Sequence, residues 1–266
     1  MIPKKIHYCW LSGEKMPDFF TKCMETWKKV MPDYEIVLWD RNKFDVNSVP
    51  FVAEACSIKK WAFAADYIRL YAVYTEGGIY LDSDVIVKKR FDDFLNYDFF
   101  TSLEYGPEIQ VGHDIMTRLL NEDGTLKNPV LQRVYGFGLQ AAIFGGIKGH
   151  PFMKDCMKWY ENNHYLLPNG QRREFNMEIA PDIYAYVAQN YGFRYKYGMQ
   201  NLDKNMVILP SSVFPTGVNG PVQNAFAIHY CYHSWFDKPM HRKVRERLGK
   251  VRLIRRLFGK QQIFED

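Results

Sequence analysis

"GGIYLDSDV", residues 77–85, ends an apolar triplet on two aspartates one residue apart, Asp82 and Asp84. Residues 79–87 read as a strand. Alternate strand residues point the same way, so both carboxylates are expected on one side. Two carboxylates on one side repel each other and lose hydration unless a positive charge sits between them. A divalent cation is the simplest such charge. Hard cations such as Mg²⁺ or Mn²⁺ prefer carboxylate oxygens and leave positions for water and phosphate. One acid could bind the ion directly while the other reaches it through water or holds a ribose hydroxyl. Asp-x-Asp alone also fits a solvated turn after a strand, so its neighbours decide.

The preceding segment, "KKWAFAADYIRLYAVYTE" (59–76), reads as a strongly apolar helix that Gly77-Gly78 stops. Asp66 and Arg69 lie three residues apart on one of its faces. They suit either a structural ion pair or a site in which Asp66 takes sugar hydroxyls and Arg69 takes phosphate or sugar oxygens. Far downstream, "HYCYHSW" (229–235) places His229 at a strand end, where imidazole can complete the shell of a manganese-like ion. Ser234 and the Trp235 indole N–H are donors suited to a diphosphate. Packing alone would also account for such an aromatic and histidine cluster.

Around these motifs, strands at 4–11, 35–40, 79–87, 98–104, 139–146, 206–210 and 225–231 alternate with helices at 16–34, 59–76, 151–163 and 182–191. That alternation predicts an α/β sheet flanked by helices. Ligands of such sheets bind beyond the C-terminal strand ends, where Asp82 and Asp84 would lie. With no internal repeat and no Gly/Ser/Pro linker, the expectation is one domain over 1–237 and an appendage over 238–266.

The chain's 266 residues, 47% hydrophobic and 16% aromatic, exclude a disordered or low-complexity protein. No apolar run approaches the ~18 residues of a membrane-spanning helix. Five scattered cysteines without CxxC spacing suggest reduced thiols in a cytoplasmic protein, not a disulfide framework or zinc site. The net charge of +5 is unevenly spread. Residues 238–260 hold ten Lys/Arg against Glu246 alone, while the rest, 25 Lys/Arg against 29 Asp/Glu, is mildly acidic. Within that tail Val244, Leu248, Val251, Ile254 and Phe258 share a helical face. A basic amphipathic helix suits an anionic membrane surface, and the alternatives are packing on the domain or nonspecific nucleic-acid contact.

Taken together, "IPKKIHYCW" (2–10), "AFAADYIRLYAVYTEGGIYLDSDV" (62–85), "GGIKGHP" (145–151) and "HYCYHSW" (229–235) resemble glycosyltransferase family 32. These are DxD-containing sugar transferases, and the likeness is to the bacterial capsular and surface polysaccharide type. The resemblance implies a GT-A fold, a single Rossmann-like nucleotide-sugar-binding domain. It also implies a retaining, Mn²⁺- or Mg²⁺-dependent transfer from a UDP- or GDP-sugar to a saccharide or lipid-linked acceptor, with no nucleic-acid partner. By position it makes Asp82, Asp84 and His229 the metal set. Trp10, Asp66, Arg69, Asp82, Gln140, Ser234 and Trp235 become the donor contacts. The catalytic group would be Asp66, Arg69, Asp82 and Asp84. His233 competes with His229, but the step from His229 to Trp235 fits the family spacing better. No carboxylate stands out as a nucleophile: Gln140, Glu178 and Asp182 could lie near the β-face but read as acceptor or packing residues, so front-side attack is favoured. "EIAPD" (178–182) departs from the family's Gly-Pro pattern on the acceptor side. Work on a lipid-linked acceptor would place the tail at the inner membrane face.

Two other classes compete. A haloacid dehalogenase-type phosphatase would use Asp82 as nucleophile, but Asp92-Asp93 follows too closely to be its second acidic pair. A calcium-dependent sugar-binding module would explain the aspartates and aromatics but not a diphosphate site at 229–235.

Overall fold

The computed structural model describes residues 1–104, 118–130, 134, 137–171, 179–217 and 223–231. Glu178, His233, Ser234, Trp235 and the basic tail therefore lie outside the described residues. Nine strands pair among the described residues: β1 (Lys5–Cys9), β2 (Glu35–Trp39), β3 (Gly78–Leu81), β4 (Val85–Val87), β5 (Phe99–Ser102), β6 (Ile143–Gly146), β7 (Gln200–Leu202), β8 (Met206–Leu209) and β9 (Ala227–His229). Seven form one sheet in the order β2-β1-β3-β6-β5-β8-β7, and β4 and β9 form a second, two-stranded sheet. β1 runs parallel to β2 and β3, β5 runs parallel to β8, and β6 and β7 run against their neighbours. Helices α1 (Asp18–Val30), α2 (Pro50–Ser57), α3 (Trp61–Glu76), α4 (Pro151–Glu161) and α5 (Ala180–Ala188) cover the sheet. This is the mixed, helix-flanked α/β sheet that the sequence predicts.

Strand alternation feeds two cores. Ile79 and Leu81 join Trp27 of α1 on one face, while Tyr80 joins Ile68 of α3, Phe152 of α4 and Phe144 on the other. With both faces covered, every residue of β3 is buried, which is why it reads as an unbroken apolar run.

One correction bears on function. The expected strand 79–87 is two strands in two sheets, broken at the aspartates. The Asp82 N–H still donates to Ala142 O in the sheet at 2.9 Å, but the Val85 N–H turns back to Asp82 O at 3.0 Å. Asp82 and Asp84 thus project from a turn, not from one face of a continuous strand. Helix α2 and strand β7 also form where no element was expected.

Close packing sets the sheet centre. His7 Nδ1 accepts from the Trp39 indole at 3.0 Å, so its Nε2–H donates to Gly77 O at 2.8 Å. Burial holds the His7 pKa below the usual histidine value, consistent with that neutral ring. Gly78, at φ +124°, has the Lys5 carbonyl only 2.9 Å from where a Cβ would sit. Across the sheet Gly145 pairs with Phe100, and a Cβ added at Gly145 would lie 2.3 Å from the Phe100 ring. Gly145→Ala is therefore expected to destabilise by about 2 kcal/mol, within the overpacking range. Phe100→Leu added to it should recover part of that loss in denaturant melts. A neutral Gly145→Ala would contradict the packing.

Candidate active site

The site is assembled by chain geometry at the C-terminal end of β3. From its last residue, Glu76, helix α3 runs back along β3, rising roughly 1.5 Å per residue, so Arg69 stands about 10 Å up. Strand β3 climbs about 3.3 Å per residue, which puts Asp82 at about 13 Å. Arg69 and Asp82, on opposite sides of the Gly77-Gly78 connection, therefore meet.

Arg69 is only 5% exposed and fully engaged. Its Nη2 pairs with Asp66 Oδ1 at 2.9 Å and its Nη1 reaches Asp82 Oδ2 at 3.4 Å. The same Nη1 donates to Ala141 O at 2.9 Å, and Nε donates to Ala65 O at 3.2 Å. The guanidinium also lies over the Tyr80 ring, 4.9 Å from its centroid. Burial opposes the charge, but Asp82, Tyr80 and Asp66 outweigh it and keep Arg69 cationic. Burial raises the Asp66 carboxyl to about 7, with Arg69 pulling it down and Asp82 pushing it up. Tyr80, two residues before Asp82 and on the same side, donates its hydroxyl to Asp82 Oδ1 at 2.8 Å. Its role was legible only in that i, i+2 spacing.

The third arm comes from the second sheet. β4–β9 pairing sets Val85 opposite His229, and the Tyr230 N–H donates to Asp84 O at 3.2 Å. This brings His229 Nε2 to 3.4 Å from Asp84 Oδ1 and 3.9 Å from Asp82 Oδ2. Burial disfavours the imidazolium, but Cys231 and Asp84 together hold the ring pKa well above the ordinary histidine value. One ligand atom each from Asp82, Asp84 and His229 falls within 4.8 Å of the others. Two carboxylates and an imidazole converging in this way fit a hard or borderline divalent cation. The sequence-derived metal set is thus brought together.

The other expected contacts fall as follows. Trp10 follows β1, which runs parallel to β3, so it stands at the same end of the sheet. It borders a cleft of about 350 Å³ with Gly13, Leu38, Asp40, Arg41 and Asn42, and its indole donates to Glu14 O at 2.8 Å. Gln140 is buried, with both amide ends used within the protein. Its Oε1 accepts from the Ala142 N–H at 3.1 Å and its Nε2 donates to Thr216 Oγ1 at 2.7 Å. It braces the segment that supports Arg69 and Asp82. Asp182 is buried in the first turn of α5.

Residues 17–101, which carry α1, α3 and the acidic turn, match the family described as glycosyltransferase sugar-binding region containing DXD motif. The chain is 35% identical over 106 residues to an uncharacterized glycosyltransferase, L373, of Acanthamoeba polyphaga mimivirus, covering 38% of this chain and 42% of that one. It is 27% identical over 161 residues to inositol phosphoceramide mannosyltransferase 3 of Schizosaccharomyces pombe, covering 59% and 36%. The chain thus spans less than half the length of these curated relatives. Among solved structures, a galactosyltransferase LgtC complex aligns at TM-score 0.47 and 14% identity, over 96% of this chain and 100% of that one.

Removing Arg69 would leave Asp66 and Asp82 facing each other in a poorly hydrated site. Arg69→Met is expected to cost about 3–5 kcal/mol, the range for breaking a buried ion pair from one side. Adding Asp66→Asn should return part of it. An unchanged unfolding midpoint for Arg69→Met would contradict the bridging role.

Proposed function

We propose that the protein transfers a sugar, with retention of anomeric configuration, from a nucleotide-diphosphate donor to a saccharide or lipid-linked saccharide acceptor. UDP-sugars are favoured over GDP-sugars as donors. The observation that carries this reading is the convergence of Asp82, Asp84 and His229 beside a buried, charged Arg69 at the strand ends. Mn²⁺ or Mg²⁺ held by those three side chains would supply Lewis-acid stabilisation to the diphosphate leaving group. The chain's own residues do the rest. Arg69 is a fixed positive charge that costs no reorganisation as negative charge develops. Asp66, held by Arg69 through one oxygen, offers the other to sugar hydroxyls. The Trp10 cleft, at the same end of the sheet, takes the nucleoside on an aromatic wall. Ser234 and Trp235 would donate to the diphosphate.

The catalytic assignment is Asp66, Arg69, Asp82 and Asp84, with front-side attack by the acceptor because no side chain is placed as a nucleophile in this reading. Support for a surface-saccharide acceptor, and for the bacterial capsular type of family 32, comes from the motif resemblance. Contact of residues 238–266 with an anionic membrane surface is supported by their basic, amphipathic composition, and its placement at the inner face, in a cytoplasmic protein, by the motif resemblance. No helix among the described residues is long and apolar enough to cross a membrane.

A donor screen tests the reading: purified protein, Mn²⁺, a panel of UDP- and GDP-sugars, and detection of released nucleoside diphosphate. One donor is expected to turn over slowly, and Asp84→Ala or chelator should lower the rate by at least about 100-fold. Turnover that survives both would contradict the assignment.

A further inference from the structure

His229 presents two ring nitrogens to two different environments. Nε2 faces the Asp84 and Asp82 carboxylates at 3.4 and 3.9 Å. Nδ1, on the opposite side of the ring, lies 3.3 Å from the Cys231 sulfur. An imidazole binds a cation through a bare nitrogen. The ring must therefore carry its proton on the other one, where an acceptor holds it. The acceptor in metal-binding proteins is ordinarily a carboxylate, a carbonyl or water; here the atom in place is a thiol sulfur.

The backbone around His229 is already secured without that sulfur. Its N–H donates to Pro215 O at 3.1 Å and its carbonyl accepts from Gly217 N at 2.7 Å. What the thiol adds is ring orientation. The chain bends sharply to supply it: Cys231 sits at φ +50°, in the left-handed region that residues other than glycine, asparagine and aspartate seldom occupy. That turn returns the side chain onto the residue two before it, instead of continuing the strand away from the site.

We propose, resting on the cation reading above, that Cys231 is a positioning residue for the metal centre. Its sulfur accepts the His229 Nδ1–H, so that Nε2 is left bare and aimed between Asp82 and Asp84. The role belongs to an acceptor atom at this position, and a serine oxygen can fill it where an alanine methyl cannot.

Two measurements on the full chain test this. The first is titration of Mn²⁺ followed by the electron paramagnetic resonance of the free ion, for wild type, Cys231→Ala, Cys231→Ser, His229→Ala and Asp84→Ala. Cys231→Ala is expected to weaken Mn²⁺ binding on the order of tenfold, and Cys231→Ser to recover most of the loss. The second is a long-range ¹H–¹⁵N spectrum of the histidine rings with Mg²⁺ bound. In wild type it should show His229 protonated at Nδ1 and bare at Nε2, and Cys231→Ala should mix the two tautomers. Wild-type His229 bare at Nδ1 would overturn the proposal, and this result needs no variant to fold. So would Cys231→Ala that binds Mn²⁺ as tightly as wild type while His229→Ala and Asp84→Ala do not. If His229→Ala and Asp84→Ala both bind Mn²⁺ like wild type, the metal centre itself is refuted and the positioning role falls with it.

Discussion

Everything at the site depends on one buried cation. Arg69 ties α3 to β3 through Asp66, Asp82 and the Ala141 carbonyl, and its charge makes it tolerable to crowd carboxylates at the strand end. Without it, Asp66 and Asp82 would repel in a poorly hydrated space, where such repulsion is barely screened. With it, one oxygen of Asp82 is held by guanidinium and the other by the Tyr80 hydroxyl. Asp84 and His229 then arrive from the second sheet to complete a set that could hold a divalent cation.

The break between β3 and β4 is what makes this division of labour work. A single strand through 79–87 would have kept both aspartates in one sheet. The turn at 82–84 instead leaves Asp82 bonded to the main sheet and hands Asp84 to the small one, beside β9 and His229. The site therefore sits at a seam. Its two carboxylates are anchored to different sheets, and its imidazole arrives from a segment that closes only after most of the chain has been laid down.

Much of this was readable in the residues and some was not. Asp66 and Arg69 were legible from their three-residue spacing on one helical face, and Asp82 from its place after the apolar run that follows Gly77-Gly78. The apolar run 79–81 announced a strand buried on both faces. The strand break was hidden, because β4 is as apolar as β3 and periodicity cannot see a change of sheet. His229 was readable as a candidate ligand at a strand end, but its meeting with Asp84 was not, since that contact joins residues far apart on the chain. Gln140 reads as a polar group near a site, but that its amide braces the Ala142 and Thr216 segments is a pairing no one-dimensional pattern encodes. Cys231 carried no signal at all, because its contact with His229 depends on a left-handed backbone.

The central claim is that Asp82, Asp84 and His229 make a cation centre through which a nucleoside diphosphate is held. Isothermal titration of UDP and GDP into the protein, with Mn²⁺ and then with excess chelator, tests it most directly. The account predicts saturable binding of one of them with Mn²⁺ and a loss of at least about tenfold in affinity without it. Diphosphate binding that is equally tight in chelator, or absent in both conditions, would contradict it.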